Sequence, residues 1–131
     1  MKIEELARIS VDCGFHLHKE MGPGLLESVY ELLLEASLKD RGLGVQRQVI
    51  VPLSYKGVVI DHAFRIDLLV EQRLVIELKS TERDSPLYPK QLLTYLRLMN
   101  LPLGLLMNFG QETFKQGVQR VVNNHQAEGA R

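Results

Sequence analysis

The sequence predicts an α/β domain with a mixed four-stranded sheet flanked by helices, and three observations carry that expectation. Residues 3–41 repeat apolar side chains at helical spacing; residues 45–79 change to a period of two and become rich in β-branched residues. Leu103 to Phe109 then form an apolar run without alternation. Such a run suits a strand buried on both faces, the habit of parallel strands between helical layers.

The elements follow in order. Ile3, Leu6, Val11, Cys13 and Leu17 mark a first helix over residues 3–20, which Met21-Gly22-Pro23-Gly24 breaks. A second helix over 25–41 carries Leu26, Val29, Leu33 and Ser37 along one face and ends at Gly42 and Gly44. From Val45 to Lys79 the pattern gives three strands in two hairpins, with turns at Lys56-Gly57 and at Glu71-Gln72-Arg73. A polar loop from Ser80 to Asp84 precedes a helix whose apolar positions include Leu92, Tyr95, Leu96 and Met99. Either Ser85 caps it with Pro86 in the first turn, or Pro89 is its first residue. The run after Pro102 is the parallel strand. Residues 112–123 read as a short closing helix, and the polar end reads as a frayed tail. The expected order is α-α-β-β-β-α-β-α, one domain over residues 1–122 and a flexible tail over 123–131.

Composition narrows the function classes. With 131 residues and 45% hydrophobic content, the chain fits one core. Sixteen Lys plus Arg balance sixteen Asp plus Glu, so bulk charge does not drive indiscriminate nucleic-acid binding. Any such contact is local. Cys13 is the single cysteine, MKIEELARIS lacks the apolar core of a secretory signal, and no apolar run approaches the roughly 18 residues of a membrane span. A cytoplasmic protein without a membrane partner is expected.

The chemistry concentrates on two strands. In residues 58–70 the even positions are mostly apolar and the odd ones include Asp61, Arg65 and Asp67; in residues 73–79 Leu74, Ile76 and Leu78 oppose Glu77 and Lys79. Matching apolar set to apolar set pairs odd positions with odd ones, and a three-residue turn at 71–73 then places Asp67 across from Glu77. Adjacent carboxylates raise each other's pKa unless a cation lies between them, and oxygen ligands suit Mg²⁺ or Mn²⁺. Lys79 projects from the Glu77 face, placed to neutralise a carboxylate or to stabilise charge on a phosphate. The competing reading is an exposed sheet face with Glu77–Lys79 and Asp67–Arg65 side by side, and spacing alone leaves the two level.

Taken together, these blocks resemble the PD-(D/E)XK nuclease superfamily. Asp67 followed by Glu77-Leu78-Lys79 on consecutive strands carries the likeness, and Gly24-Leu25-Leu26-Glu27-Ser28-Val29-Tyr30 matches the GxxExxY pattern of a family of small prokaryotic proteins assigned to it. The likeness runs from about His18 to Val122. It implies a restriction-endonuclease-like core, α-β-β-β-α-β, and a Mg²⁺- or Mn²⁺-dependent nuclease acting on DNA or, second, RNA in repair, recombination or defence. It also implies roles: Asp67, Glu77 and the Leu78 carbonyl on the metal, Lys79 as catalytic lysine, Glu27 as a further carboxylate, and Gln91 as a polar site residue. The alternative is a non-catalytic module that keeps the fold to bind nucleic acid or protein. A small domain of this kind draws specificity from a homo-oligomer or a partner protein. Two positions depart from the pattern: Ile66 stands where the superfamily has Pro, and Tyr88 where a His is expected.

Other candidates have plainer readings. His16 and His18 lie about 200° apart on a helix and cannot share one metal. His18 is expected to pack or hydrogen-bond near the Gly22-Pro23-Gly24 turn, His62 to sit on the core face, and Cys13 to be buried. Arg83, Lys90 and Arg97 read as a solvated face.

Overall fold

Two tight turns set the register of the sheet. The computed structural model describes residues 1–124. Lys56 and Gly57 both take positive φ, 47° and 81°, the conformation that joins antiparallel strands without splaying them. They connect β1 (Val45–Tyr55) to β2 (Val58–Val70). Glu71 and Gln72, also at positive φ, lead into β3 (Leu74–Lys79), and Val70 pairs with Leu74, Leu69 with Val75 and Leu68 with Ile76. That is the odd-length turn read from the sequence. β4 (Leu103–Asn108) runs parallel to β3, as its unbroken apolar run requires, and the sheet order is β1-β2-β3-β4-β5.

Helices cover both faces. On one side, α1 (Ile3–Met21), α2 (Glu27–Asp40) and the single turn α4 (Phe114–Gly117) pack on Leu68, Leu74, Ile76, Leu78, Leu105 and Met107. On the other side, α3 (Leu87–Met99) packs Leu92 and Leu96 on Ile66, Leu69, Val75, Leu106 and Val121. α3 begins at Leu87 with Pro86 at its N-cap, and the Ser85 hydroxyl accepts from Leu87 N, so the helix starts close to the first of the two expected places and before Pro89.

Four expectations need correction. Residues 112–123 are not one helix. Thr113 and Gln116 close a capping box, the helix stops after one turn, and Val118–Val122 pairs antiparallel with β4 as β5. The free edge of β4 offers hydrogen bonds that β-branched Val118, Val121 and Val122 fit better than a surface helix, so the sheet has five strands. α2 buries Tyr30, Leu34 and Leu38, while Leu26 is 73% exposed; its inner face lies off the expected stripe because Tyr30 stacks on Phe109 at 4.6 Å. His62 is exposed, because β1 and β2 run on past the helices as an arm whose Val58, Val59 and Ile60 are also exposed. Finally, the strict alternation of β2 breaks at Asp67. Ile66 joins the α3 layer although Leu68 and Val70 join the other, and β1 switches likewise between Val45 and Val49. Both strands roll over at one point, where Gln48 has φ 56°.

Of the expected tail, Asn123 donates to the Leu101 carbonyl at 3.0 Å, and residues 125–131 lie outside the described residues.

The loop after β3 is held by one buried side chain. Asn108 accepts from Thr81 N and Gly110 N and donates to Thr81 Oγ1 and Asp84 Oδ1. A Cβ on Gly110 would lie 2.3 Å from the Thr81 carbonyl oxygen. Gly110→Ala is therefore expected to cost about 2 kcal/mol or more, read as a lower denaturation midpoint.

Candidate functional site

The loop before α2 is built to place Glu27. Gly24 takes φ 112°, a conformation open to glycine, and the Tyr30 hydroxyl donates to the Gly22 carbonyl and accepts from Leu25 N. Ser80, next to Lys79, donates to the Leu25 carbonyl at 2.6 Å. The loop is thus pinned to α2 and to the end of β3, and Glu27 becomes the first residue of α2, where the helix dipole favours a carboxylate. Tyr30→Phe leaves two loop groups without their partner. A loss of about 1–2 kcal/mol is expected in denaturant unfolding.

Asp67 and Glu77 meet across the β2–β3 gap. The ladder ends at Leu68–Ile76, and beyond it the side chains take over the bonding. Asp67 Oδ2 accepts from Leu78 N at 2.8 Å, and Glu77 Oε1 accepts from Asp67 N at 3.3 Å. The two carboxylates are neighbours, as the register predicted. Glu77 is only 8% exposed, and burial, then the adjacent charge of Asp67, push its carboxyl up to about 10. An exposed polar face is not what forms: β3 is covered on both sides, and among the described residues no ion pair joins Glu77 to Lys79.

Around this pair lie further groups. Glu27 is pushed up by desolvation and by Asp67, and Lys79 opposes the shift. The Lys79 ammonium sits 4.6 Å from the centre of the Tyr88 ring, so the position that lacks the expected His supplies an aromatic face instead. Tyr95, stacked on Phe64 at 4.3 Å, is raised by burial and then by the charges of Glu77 and Asp67. Gln91 lies one turn earlier on α3, exposed, and among the described residues makes no hydrogen bond to the site carboxylates.

Two residues escaped the sequence reading. Glu31 is buried four positions after Glu27, and its carboxyl is raised by burial and by Asp67. Arg47 approaches it at 3.3 Å, while the Gln48 amide donates to Glu31 Oε1 at 2.5 Å and to Asp67 Oδ1 at 3.3 Å. The helical i,i+4 spacing from Glu27 was a usable signal for Glu31. Gln48 had none, because its reach depends on its left-handed backbone.

The donor set fits a hard divalent cation. It is all oxygen, and burial together with the neighbouring charge of Asp67 raises the Glu77 carboxyl, the situation that a dication relieves. Among the described residues no three His, Cys, Asp or Glu side chains already converge as a finished cage. The site is a pair, with Glu27 and Glu31 beside it.

Comparison with known proteins agrees with the architecture. The model of the PD-(D/E)XK nuclease superfamily matches residues 4–121, and this chain belongs to that superfamily. A crystal structure of SSO0001 is similar in fold, with a TM-score of 0.54 and 23% identity over 76% of this chain and 50% of that one. The chain thus spans half the length of that protein. No curated protein matches the sequence.

His18 is buried against Phe109 and Phe114 and bonds the Gln111 carbonyl, whereas His16 faces Asp12. The two imidazoles serve different surroundings. Cys13 is buried, and Arg83, Lys90 and Arg97 are exposed. Among the described residues no helix is long and apolar enough to cross a membrane.

Proposed function

We propose that the chain is a Mg²⁺- or Mn²⁺-dependent nuclease that hydrolyses phosphodiester bonds in DNA. The observation that carries this reading is the Asp67–Glu77 pair, with Glu77 buried and pushed up to about 10 and Lys79 two residues further along the same strand. Two acids held together where one of them is buried favour a dication beside them. Asp67 and Glu77 would hold the ion, with the Leu78 carbonyl available beside them and Glu27 at the outer edge. The bound ion would supply an acidified water and charge neutralisation at the phosphate.

The remaining work falls to the chain itself. Lys79, oriented by the Tyr88 ring, offers a positive charge to the scissile phosphate and to the developing alkoxide. Asp67 and Glu77 present carboxylate oxygens to the ion, with Leu78 N–H holding Asp67 Oδ2 in place. The neutral bulk charge makes the contact local, so recognition rests on this pocket and on a homo-oligomer or partner protein.

The test is cleavage of duplex DNA, single-stranded DNA and RNA with Mg²⁺ or Mn²⁺, comparing the intact chain with Asp67→Ala. A loss of about 100-fold or more is expected. Equal rates for both proteins would assign the cleavage to a contaminant.

A further inference from the structure

We infer that Gln48 is a positioning residue: its side-chain amide ties the α2 carboxylate Glu31 to Asp67 and fixes the direction in which Asp67 offers itself to a cation. This rests on the reading of Asp67 and Glu77 as a cation-binding pair. Gln48 lies between two intact pairs, Arg47 with Leu68 and Val49 with Ile66, and therefore faces Asp67 across the β1–β2 ladder. Its own backbone leaves the strand conformation for φ 56°. A glutamine held there costs on the order of 1 kcal/mol, and glycine would meet the turn at less expense. The side chain accounts for the choice of residue, since its one amide nitrogen reaches two carboxylates on different elements.

Charge explains why the donor is an amide. Gln48 approaches Asp67 at Oδ1, and Leu78 N–H holds Oδ2 from the opposite side. Each oxygen keeps a lone pair for a further ligand. A lysine or arginine at this position would neutralise the pocket and compete with a divalent ion. A neutral amide orients Asp67 and leaves its negative charge in place, while Arg47 already pairs with Glu31 from the adjacent position. It also links α2 to the sheet where both strands roll over, so the helix bearing Glu27 and Glu31 cannot shift without moving Asp67.

The deciding variant is Gln48→Gly, because glycine accepts the left-handed backbone and removes the side chain that carries the amide. Mn²⁺ titration by calorimetry should show affinity about tenfold weaker or more, as for the loss of a partner that orients a metal ligand. The melting midpoint of the metal-free variant should change little. An affinity within twofold of the wild type, in a folded variant, would overturn the inference. A charged donor supplies a second check. Gln48→Lys keeps a donor at this position but brings a positive charge, and should weaken Mn²⁺ binding more than Gln48→Gly does; equal affinities for the two variants count against the inference.

A third readout needs no metal. In the metal-free wild type, the Gln48 side-chain amide protons should exchange with solvent more slowly than those of exposed glutamines such as Gln91. If the wild type takes up no Mn²⁺, the cation reading fails, and amide exchange still decides whether Gln48 orients Asp67 and Glu31. Exchange at the rate of Gln91 overturns that role.

Discussion

Glu77→Gln is expected to stabilise the metal-free protein while abolishing its response to Mg²⁺. Burial and the Asp67 charge push the Glu77 carboxyl up to about 10 in the fold against an ordinary 4.5, so folding favours its protonated form. A carboxyl raised in this way contributes fully below pH 4.5, and its contribution drains away as pH climbs towards 10. At pH 7 keeping that proton costs about 3 kcal/mol, a cost that glutamine does not carry. The amide oxygen still accepts from Asp67 N, and the amide nitrogen is free to donate to the Asp67 carboxylate. The expected gain is a melting midpoint roughly 5–10 °C higher at neutral pH, and a flatter stability profile between pH 5 and 10. Added Mg²⁺ should raise the midpoint of the wild type and leave that of the variant unchanged. A variant less stable than wild type at pH 8 would contradict the assignment of a buried, protonated Glu77.

Lys79→Met should separate binding from chemistry. The methionine keeps an unbranched apolar stem against Tyr88 and removes only the charge. Metal affinity should stay within a few-fold of the wild type or rise, since a positive group leaves the neighbourhood of the carboxylates. Cleavage should fall by about 10²–10⁴, the usual range for a group that acts on the transition state. The loss belongs mainly in kcat. A fall confined to KM would make Lys79 a binding residue for the nucleic-acid backbone and remove it from the chemistry.

Much of this site was legible because strand pairing is discrete. The turn at 71–73 and the apolar sets of two strands allowed alternate registers only; the simplest of them is the one formed as far as Leu68–Ile76, and just beyond it Glu77 accepts from Asp67 N. The parallel β4 was legible from its unbroken apolar run, since a strand covered on both faces has no reason to alternate. The roll at Gln48 and Asp67 was not, because a single left-handed residue leaves no periodic trace in the sequence. That roll sends Ile66 to the α3 layer and brings the amide of Gln48 to two carboxylates. β5 was hidden for a different reason. Thr113 and Gln116 are a true helix start, and the helix ends after one turn because β4 presents an open edge. The inner face of α2 was misplaced by counting aliphatic residues, when Tyr30 decides it through its ring and hydroxyl.

The central claim is that Asp67 and Glu77 together bind a divalent ion. A crystal structure with Mn²⁺, read by anomalous scattering, tests it most directly. The account predicts a single strong peak within about 2.5 Å of a carboxylate oxygen from each residue, with Gln48 still bonded to Asp67. A Glu77 that remains hydrogen-bonded to Asp67, with no ion between them at high Mn²⁺, would contradict it.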